Sequence, residues 1–465
     1  MHTAMFKRAN FIVLVLLVAL FSGCKKDKIF SKDHLDFSKD TVLFDTVFTT
    51  VGSTTKSFRI YNNNNAKILV EEIELMGGEN SPFRINVDGV SGLSFEDVII
   101  PRNDSMFVFV EVTLEVNNTT NPLVISDSIR FRTNGLDQYV FLDVWGQDAY
   151  FHVNEIVSGT WANDKPHVIY GIAAVGYPGL DSNLTLTIPQ GTEVYCHKDA
   201  FLYVYKSTLL IQGTLGNEVL FQGDRLEAFY DDVSGQWGGI ILEQSISSNI
   251  NYLTMKNSGY GLQVNGTGSP VSLNVSNTIV DNTDFFGFIV AKGGSIVAEN
   301  CIFGKAGLMS TFLFGGGTAV FTHCNFVNYW SGSRGGPAFG VKNYWIEDDI
   351  IYTADADYTI YNSIFYGNSE DEFIIDTLFD APAVFDIQVS NCLIRRTNGV
   401  YIYDYLDNII WNLDPQFTDP STGDLHIAST SPANNAGDPS FATLLDLEGV
   451  ARNLSTPDIG VYELP

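Results

Sequence analysis

The residues best suited to chemistry gather between positions 329 and 357. Tyr329-Trp330-Ser331-Gly332-Ser333-Arg334-Gly335-Gly336-Pro337 is followed by Lys342, by Tyr344-Trp345-Ile346-Glu347-Asp348-Asp349, and by Asp355 and Asp357. Trp330, Tyr344 and Trp345 offer flat amphipathic rings of the kind that stack on sugar faces. Arg334 or Lys342 could abstract a proton. Glu347, Asp348 and Asp349 could hold a cation, although they lack the D-x-D-x-D-G spacing of a calcium loop. The plainer expectation for the whole stretch is a solvated loop with packed aromatics covering one face of the fold. Asp371-Glu372-Phe373-Ile374-Ile375-Asp376 reads as a second acidic, solvated edge, and Arg395-Arg396 as an exposed turn. No G-x-S-x-G, H-E-x-x-H or phosphate-loop motif occurs.

The elements that must carry these residues are β-strands. The chain has 465 residues with 45% hydrophobic and only 17% charged positions, and it is rich in Gly, Phe and Tyr. Such a chain builds large cores and is not disordered. A formal net charge of −28 excludes nucleic acid as a partner, because backbone phosphates demand a basic face.

An internal repeat occupies the second part. Leu273-Asn274-Val275-Ser276-Asn277-Thr278-Ile279-Val280 recurs as Ile296–Phe303 and again as Ala319–Phe326, each copy 23 residues after the last. Gly293-Gly294 recurs as Gly316-Gly317. Weaker copies lie at Asn251-Tyr252-Leu253, Asn362-Ser363-Ile364-Phe365 and Asn391-Cys392-Leu393-Ile394, and the wider gap between His323 and Asn362 marks an insertion. Alternating strands at this period mean one solenoid coil per repeat. Equivalent residues then stack ~4.8 Å apart. Thr278, Cys301 and Cys324 form one interior column, extended by Ser363 and Cys392, with Val280, Phe303 and Phe326 beside it. The cysteines are expected to be reduced packing residues rather than disulfides. Asn277, Asn300 and His323 form a second column at a turn, where His323 is a ladder member rather than a base. No Cys/His spacing suits zinc.

This repeat resembles the right-handed parallel β-helix of pectate-lyase-like proteins. Leu184–Thr192, Leu209–Leu215 and Gly235-Gln236-Trp237-Gly238-Gly239-Ile240 match its early coils, and Ser431–Asp438 through Pro457–Glu463 its closing segment. Residues 36–148 alternate short apolar runs with turn clusters. Phe58-Arg59-Ile60-Tyr61-Asn62, Ser81-Pro82-Phe83-Arg84-Ile85 and Leu142-Asp143-Val144-Trp145-Gly146 resemble an ASH/MSP-type Ig-like sandwich. The fold class expected is therefore all-β: the sandwich over 36–148, a β-helix over 152–465, and a closing segment over 412–465.

Residues 1–23 carry Lys7 and Arg8, then an apolar run from Phe11 to Phe21 that is too short to span a membrane as a helix. Phe21-Ser22-Gly23-Cys24 resembles a bacterial lipobox. The resemblance implies a signal peptide, lipidation (palmitate included) at Cys24, a tether over 24–35 and an address on the outer membrane. The whole arrangement resembles surface lipoproteins of Bacteroidetes-type bacteria, which implies the cell surface.

The function expected on these grounds is non-catalytic: a glycan-binding or surface-interaction protein. The alternative is a polysaccharide lyase or glycoside hydrolase acting on the side face of the solenoid, with Ca²⁺ as its cofactor if it is a lyase. The acidic balance disfavours acidic substrates. Paired carboxylates at repeat spacing on one outward column are expected to be missing.

Overall fold

The computed structural model describes residues 30–49, 53, 55–115, 123–266, 272–378, 382–397 and 405–465. Cys24 and the signal segment lie outside them. The chain divides into two compact units, 1–148 and 149–465.

The first unit is a sandwich of two five-stranded sheets. One holds Asp36–Phe37, Lys56–Asn62, Asp104–Val112, Phe83–Val87 and Val90–Gly92; the other holds Thr41–Phe48, Leu136–Gln147, Leu123–Thr133, Ile68–Leu75 and Ser94–Ile100. Every pairing is antiparallel except Thr41–Phe48 against Leu136–Gln147. Period-2 alternation places Phe58, Ile60, Val108, Val110, Phe131 and Val144 in one buried core between the sheets.

The second unit is a right-handed parallel β-helix. Each coil contributes one strand to a ten-stranded parallel sheet and, after a bend, one or two strands to an eighteen-stranded one. In one coil these are Gly294–Glu299, Ile302–Phe303 and Met309–Phe314. Thr278, Cys301, Cys324, Ser363 and Cys392 are all fully buried in one column, and the four cysteines from Cys196 to Cys392 are free thiols. Phe303, Phe326 and Phe365 stack beside them at 5.7 and 4.8 Å.

The bend between the ten-stranded sheet and the next strand takes a left-handed residue at the same place on five successive coils. Asn277, Asn300, His323, Asn362 and Asn391 all sit at φ between 49° and 52°, where Asn is tolerated best after Gly. Their side chains form the ladder that pays for the bend: Asn277 Nδ2 donates to Asn251 Oδ1 at 2.9 Å, and Asn362 Nδ2 donates to His323 Nε2 at 3.2 Å. His323 Nδ1 then faces the Gly460 carbonyl at 3.1 Å as donor. Burial holds its pKa well below the ordinary value, so it stays neutral.

The closing segment lies along a side of the solenoid. Leu425, Leu447 and Val461 cover Ile302 and Val327, and Ile427, Ala433 and Ile459 cover Ile364 and Leu393. The buried Arg452 guanidinium fastens it to the ladder, donating to Asn300 Oδ1 and the Gly460 and Val461 carbonyls at 3.0 Å each.

Candidate functional site

The insertion after His323 adds no further coil. It consists of two extrusions at opposite ends of the strand Phe339–Lys342, which keeps parallel register with Thr311–Phe314 below and Phe373–Asp376 above.

The first extrusion, 329–338, is a packed loop. Arg334 Nη2 pairs with Glu372 Oε1 at 2.7 Å, and the two side chains are 5% and 0% exposed. Arg334 Nη1 donates to the Asn328 carbonyl at 2.9 Å. Glu372 also accepts from Ser369 N and Ala338 N, both at 2.8 Å. Burial raises the Glu372 pKa, and Arg334 opposes that rise. Glu372 is thus a buried anchor, not part of a solvated edge. The Trp330 indole is tucked against Gly332 and Gly307, and its carbonyl accepts from Asn368 Nδ2 at 2.8 Å. These contacts make Arg334 a fastener of the loop rather than a group presented to a ligand, while the Trp330 ring is half-buried.

The second extrusion is an antiparallel hairpin, Tyr344–Glu347 with Ile350–Thr353. Asp348 and Asp349 form its tip with φ of 50° and 60°. Lys342 at its base meets Asp376 at 3.1 Å, and Tyr344 Oη donates to the same carboxylate at 2.9 Å. Burial lowers the Lys342 pKa, but Asp376 and Tyr344 more than offset this and hold it above the ordinary value, so it carries a proton at neutral pH. Glu347 accepts from Lys292 Nζ at 2.8 Å and from Trp345 Nε1 at 3.3 Å; these bonds, led by Lys292, hold its pKa down. Among the described residues no group of three His, Cys, Asp or Glu side chains is placed to hold a metal ion.

Trp345 stacks on Tyr352 at 5.1 Å and leans over Gly315, where a Cβ would meet its ring at 2.8 Å. Gly315 has φ of 73°, so both the turn and the close approach require glycine there. Beneath the hairpin runs a groove of about 660 Å³, lined by Lys292, Thr318, Trp345, Asp355, Asp357 and Asp386 among others. Its floor is the outward face of the ten-stranded sheet. Thr318, Asp357 and Asp386 are in register on three successive coils, and both aspartates are exposed. Adjacent parallel strands set their Cα atoms ~4.8 Å apart. Asp355 is turned to structure: its Oδ1 accepts from Val384 N at 2.8 Å.

This corrects the expectation that the outward columns lack paired carboxylates. Asp386 follows Asp357 by 29 residues instead of 23, because that coil is longer. Each nevertheless lies five positions before its left-handed asparagine, Asn362 or Asn391. Counting from those asparagines rather than by a fixed period finds the pair.

A sequence model of the right handed beta helix region matches residues 260–435. No curated protein matches the chain. Among solved structures, it is similar to XylC in complex with xylose at 8% identity, covering 90% of this chain and 87% of that one with a TM-score of 0.40. It is similar to the catalytic domain of a GH87 alpha-1,3-glucanase in complex with tetrasaccharides at 10% identity, covering 77% and 86%, TM-score 0.25. A family 123 glycoside hydrolase from Clostridium perfringens is matched at 9% identity over 24% of this chain, which spans a quarter of that protein, TM-score 0.16. At these identities and TM-scores the solved structures bring no activity, substrate or residue role to this chain. The expectation of a non-catalytic glycan-binding or surface-interaction protein falls instead with its ground, since the outward carboxylate pair it took to be missing is present as Asp357 and Asp386.

Proposed function

We propose that this chain hydrolyses a glycan in the groove beneath the Tyr344–Thr353 hairpin. The observation that carries the reading is the Asp357/Asp386 pair, exposed on neighbouring coils beside the Trp345 ring. Glycoside hydrolysis needs two carboxyl groups flanking one bond. One gives its proton to the leaving glycosidic oxygen. The other, ionised, either activates a water or attacks the anomeric carbon. Trp345 supplies a ring for a sugar to lie on, and Lys292, through Glu347, ties the hairpin to the coil below. A lyase is supported less well. Its base would be Arg334 or Lys342, and the first is buried in an ion pair while the second is held protonated.

The test is product analysis after incubating the soluble protein with a panel of neutral polysaccharides, with and without added calcium. Calcium-independent release of reducing ends without ultraviolet-absorbing unsaturated sugars supports hydrolysis. Unsaturated products would establish a lyase instead.

The chain is further proposed to be exported, lipidated at Cys24 and held on the outer membrane at the cell surface, with an Ig-like sandwich as spacer. The support is the Phe21-Ser22-Gly23-Cys24 resemblance and the two-sheet first unit. Cell fractionation of Cys24→Ser tests it; unchanged membrane association would contradict it.

A further inference from the structure

The hairpin Tyr344–Thr353 is apolar where solvent reaches it. Trp345 lies opposite Tyr352, Ile346 opposite Ile351, and Glu347 opposite Ile350. Opposite residues of an antiparallel pair point the same way, and successive residues alternate. Trp345, Tyr352, Glu347 and Ile350 therefore share one face, and Ile346 and Ile351 lie on the other. The first face looks onto the groove, because Trp345 and Lys292 both line it and Lys292 pairs with Glu347. On that face Ile350 is 54% exposed and Tyr352 39%. Val384 also lines the groove, two positions before Asp386, and is 65% exposed.

The open apolar side chains thus begin beside the carboxylate pair and continue along the hairpin. Val384 and Trp345 line the same groove as Asp357 and Asp386, Tyr352 stacks on Trp345 at 5.1 Å, and Ile350 follows Tyr352 on the same face. Val384 and Ile350 have no side-chain donor or acceptor for a sugar hydroxyl. What gains by covering them is hydrocarbon. Charge argues against two other occupants. The hairpin tip is Asp348-Asp349, both exposed, and pushing it into a bilayer would strip water from two carboxylates. A second copy of this chain would set those carboxylates against their own kind.

We infer that the glycan cleaved in this groove carries an apolar group, alkyl or aryl, on the sugar beside the scissile bond, and that Val384 and Ile350 select it. The inference rests on the hydrolase reading for the place of the scissile bond, but binding of the apolar group is measurable without cleavage. The group is not anionic, because Asp348, Asp349, Asp357 and Asp386 are all exposed around the strip. Val384 and Ile350 act on specificity alone: neither can move a proton, and each favours the substrate by the hydrocarbon it covers.

Equilibrium dialysis of the Asp386→Asn protein, which keeps the probe intact, against methyl, octyl and phenyl glycosides of xylose, glucose, galactose and mannose tests it, with the octyl glycosides below their micelle-forming concentration. The expected result is that for at least one sugar the octyl or phenyl glycoside binds about tenfold more tightly than the methyl glycoside, or better. Adding Ile350→Ser or Val384→Ser lowers that preference by about threefold or more, whereas Ile346→Ser, on the opposite face of the hairpin, leaves it whole. A preference for phenyl alone or octyl alone supports the inference and identifies the group as aryl or alkyl. Where wild type cleaves the probes, its kcat/KM follows the same order. Equal binding of all three glycosides, a preference that survives both Ile350→Ser and Val384→Ser, or binding of none overturns the inference. Preference without cleavage by wild type supports the apolar site while removing the hydrolase.

Discussion

Loop 329–338 and hairpin Tyr344–Thr353 leave the same coil on either side of Phe339–Lys342, and both are rich in aromatic and charged residues. In the loop, the charge is spent inward: Arg334 and Glu372 neutralise each other where water cannot reach. At the hairpin it faces outward, over a groove floored by Asp357 and Asp386. Composition does not separate the two. What separates them is whether each polar group has its partner inside the fold, and that decides which extrusion holds structure together and which is open to a ligand.

The largest effect is expected at Arg334. Arg334→Met leaves the buried Glu372 carboxylate without its cation, so a loss of about 3–5 kcal/mol in unfolding free energy is expected from denaturant titration, with glycan binding by the folded fraction unchanged. A loss below about 1 kcal/mol would show that the pair is not the anchor described.

Much of this fold is legible in the sequence because a solenoid repeats its constraints. The 23-residue period, the Thr278/Cys301/Cys324 column and the Asn277/Asn300/His323 bend each restate one requirement of the coil, burial in the first case and positive φ in the second. The site is less legible. Asp357 and Asp386 differ in spacing from the regular coils, and nothing local distinguishes a buried Arg334 from an exposed one, since its burial depends on Glu372, 38 positions away.

The first coil also holds a titratable group whose partners lie inside the fold. His167 Nε2 meets the Ala162 carbonyl at 2.7 Å and its Nδ1 meets His152 Nε2 at 2.8 Å, with Trp161 stacked on both rings. Burial lowers the His167 pKa to about 4, so the fold favours the neutral ring. The associated stability is whole above the unfolded value near 6.5 and is lost as pH falls toward 4, up to about 3 kcal/mol. Unfolding free energies of wild type and His167→Asn across that window check this; parallel pH dependence in the two proteins would contradict it.

The smallest stability effect is expected at the hairpin. Trp345→Ala should change unfolding free energy by less than about 1 kcal/mol, yet weaken glycan binding by about tenfold. A large stability loss with binding intact would place Trp345 with the fasteners instead.

If Asp357 and Asp386 are the reacting carboxyls, the initial rate of reducing-end release by Asp357→Asn and Asp386→Asn on the polysaccharide the wild type cleaves reports it most directly. Each variant should keep wild-type thermal stability and polymer binding while its kcat falls by about 10²–10⁴-fold. Either variant turning over within about twofold of wild type would contradict the assignment.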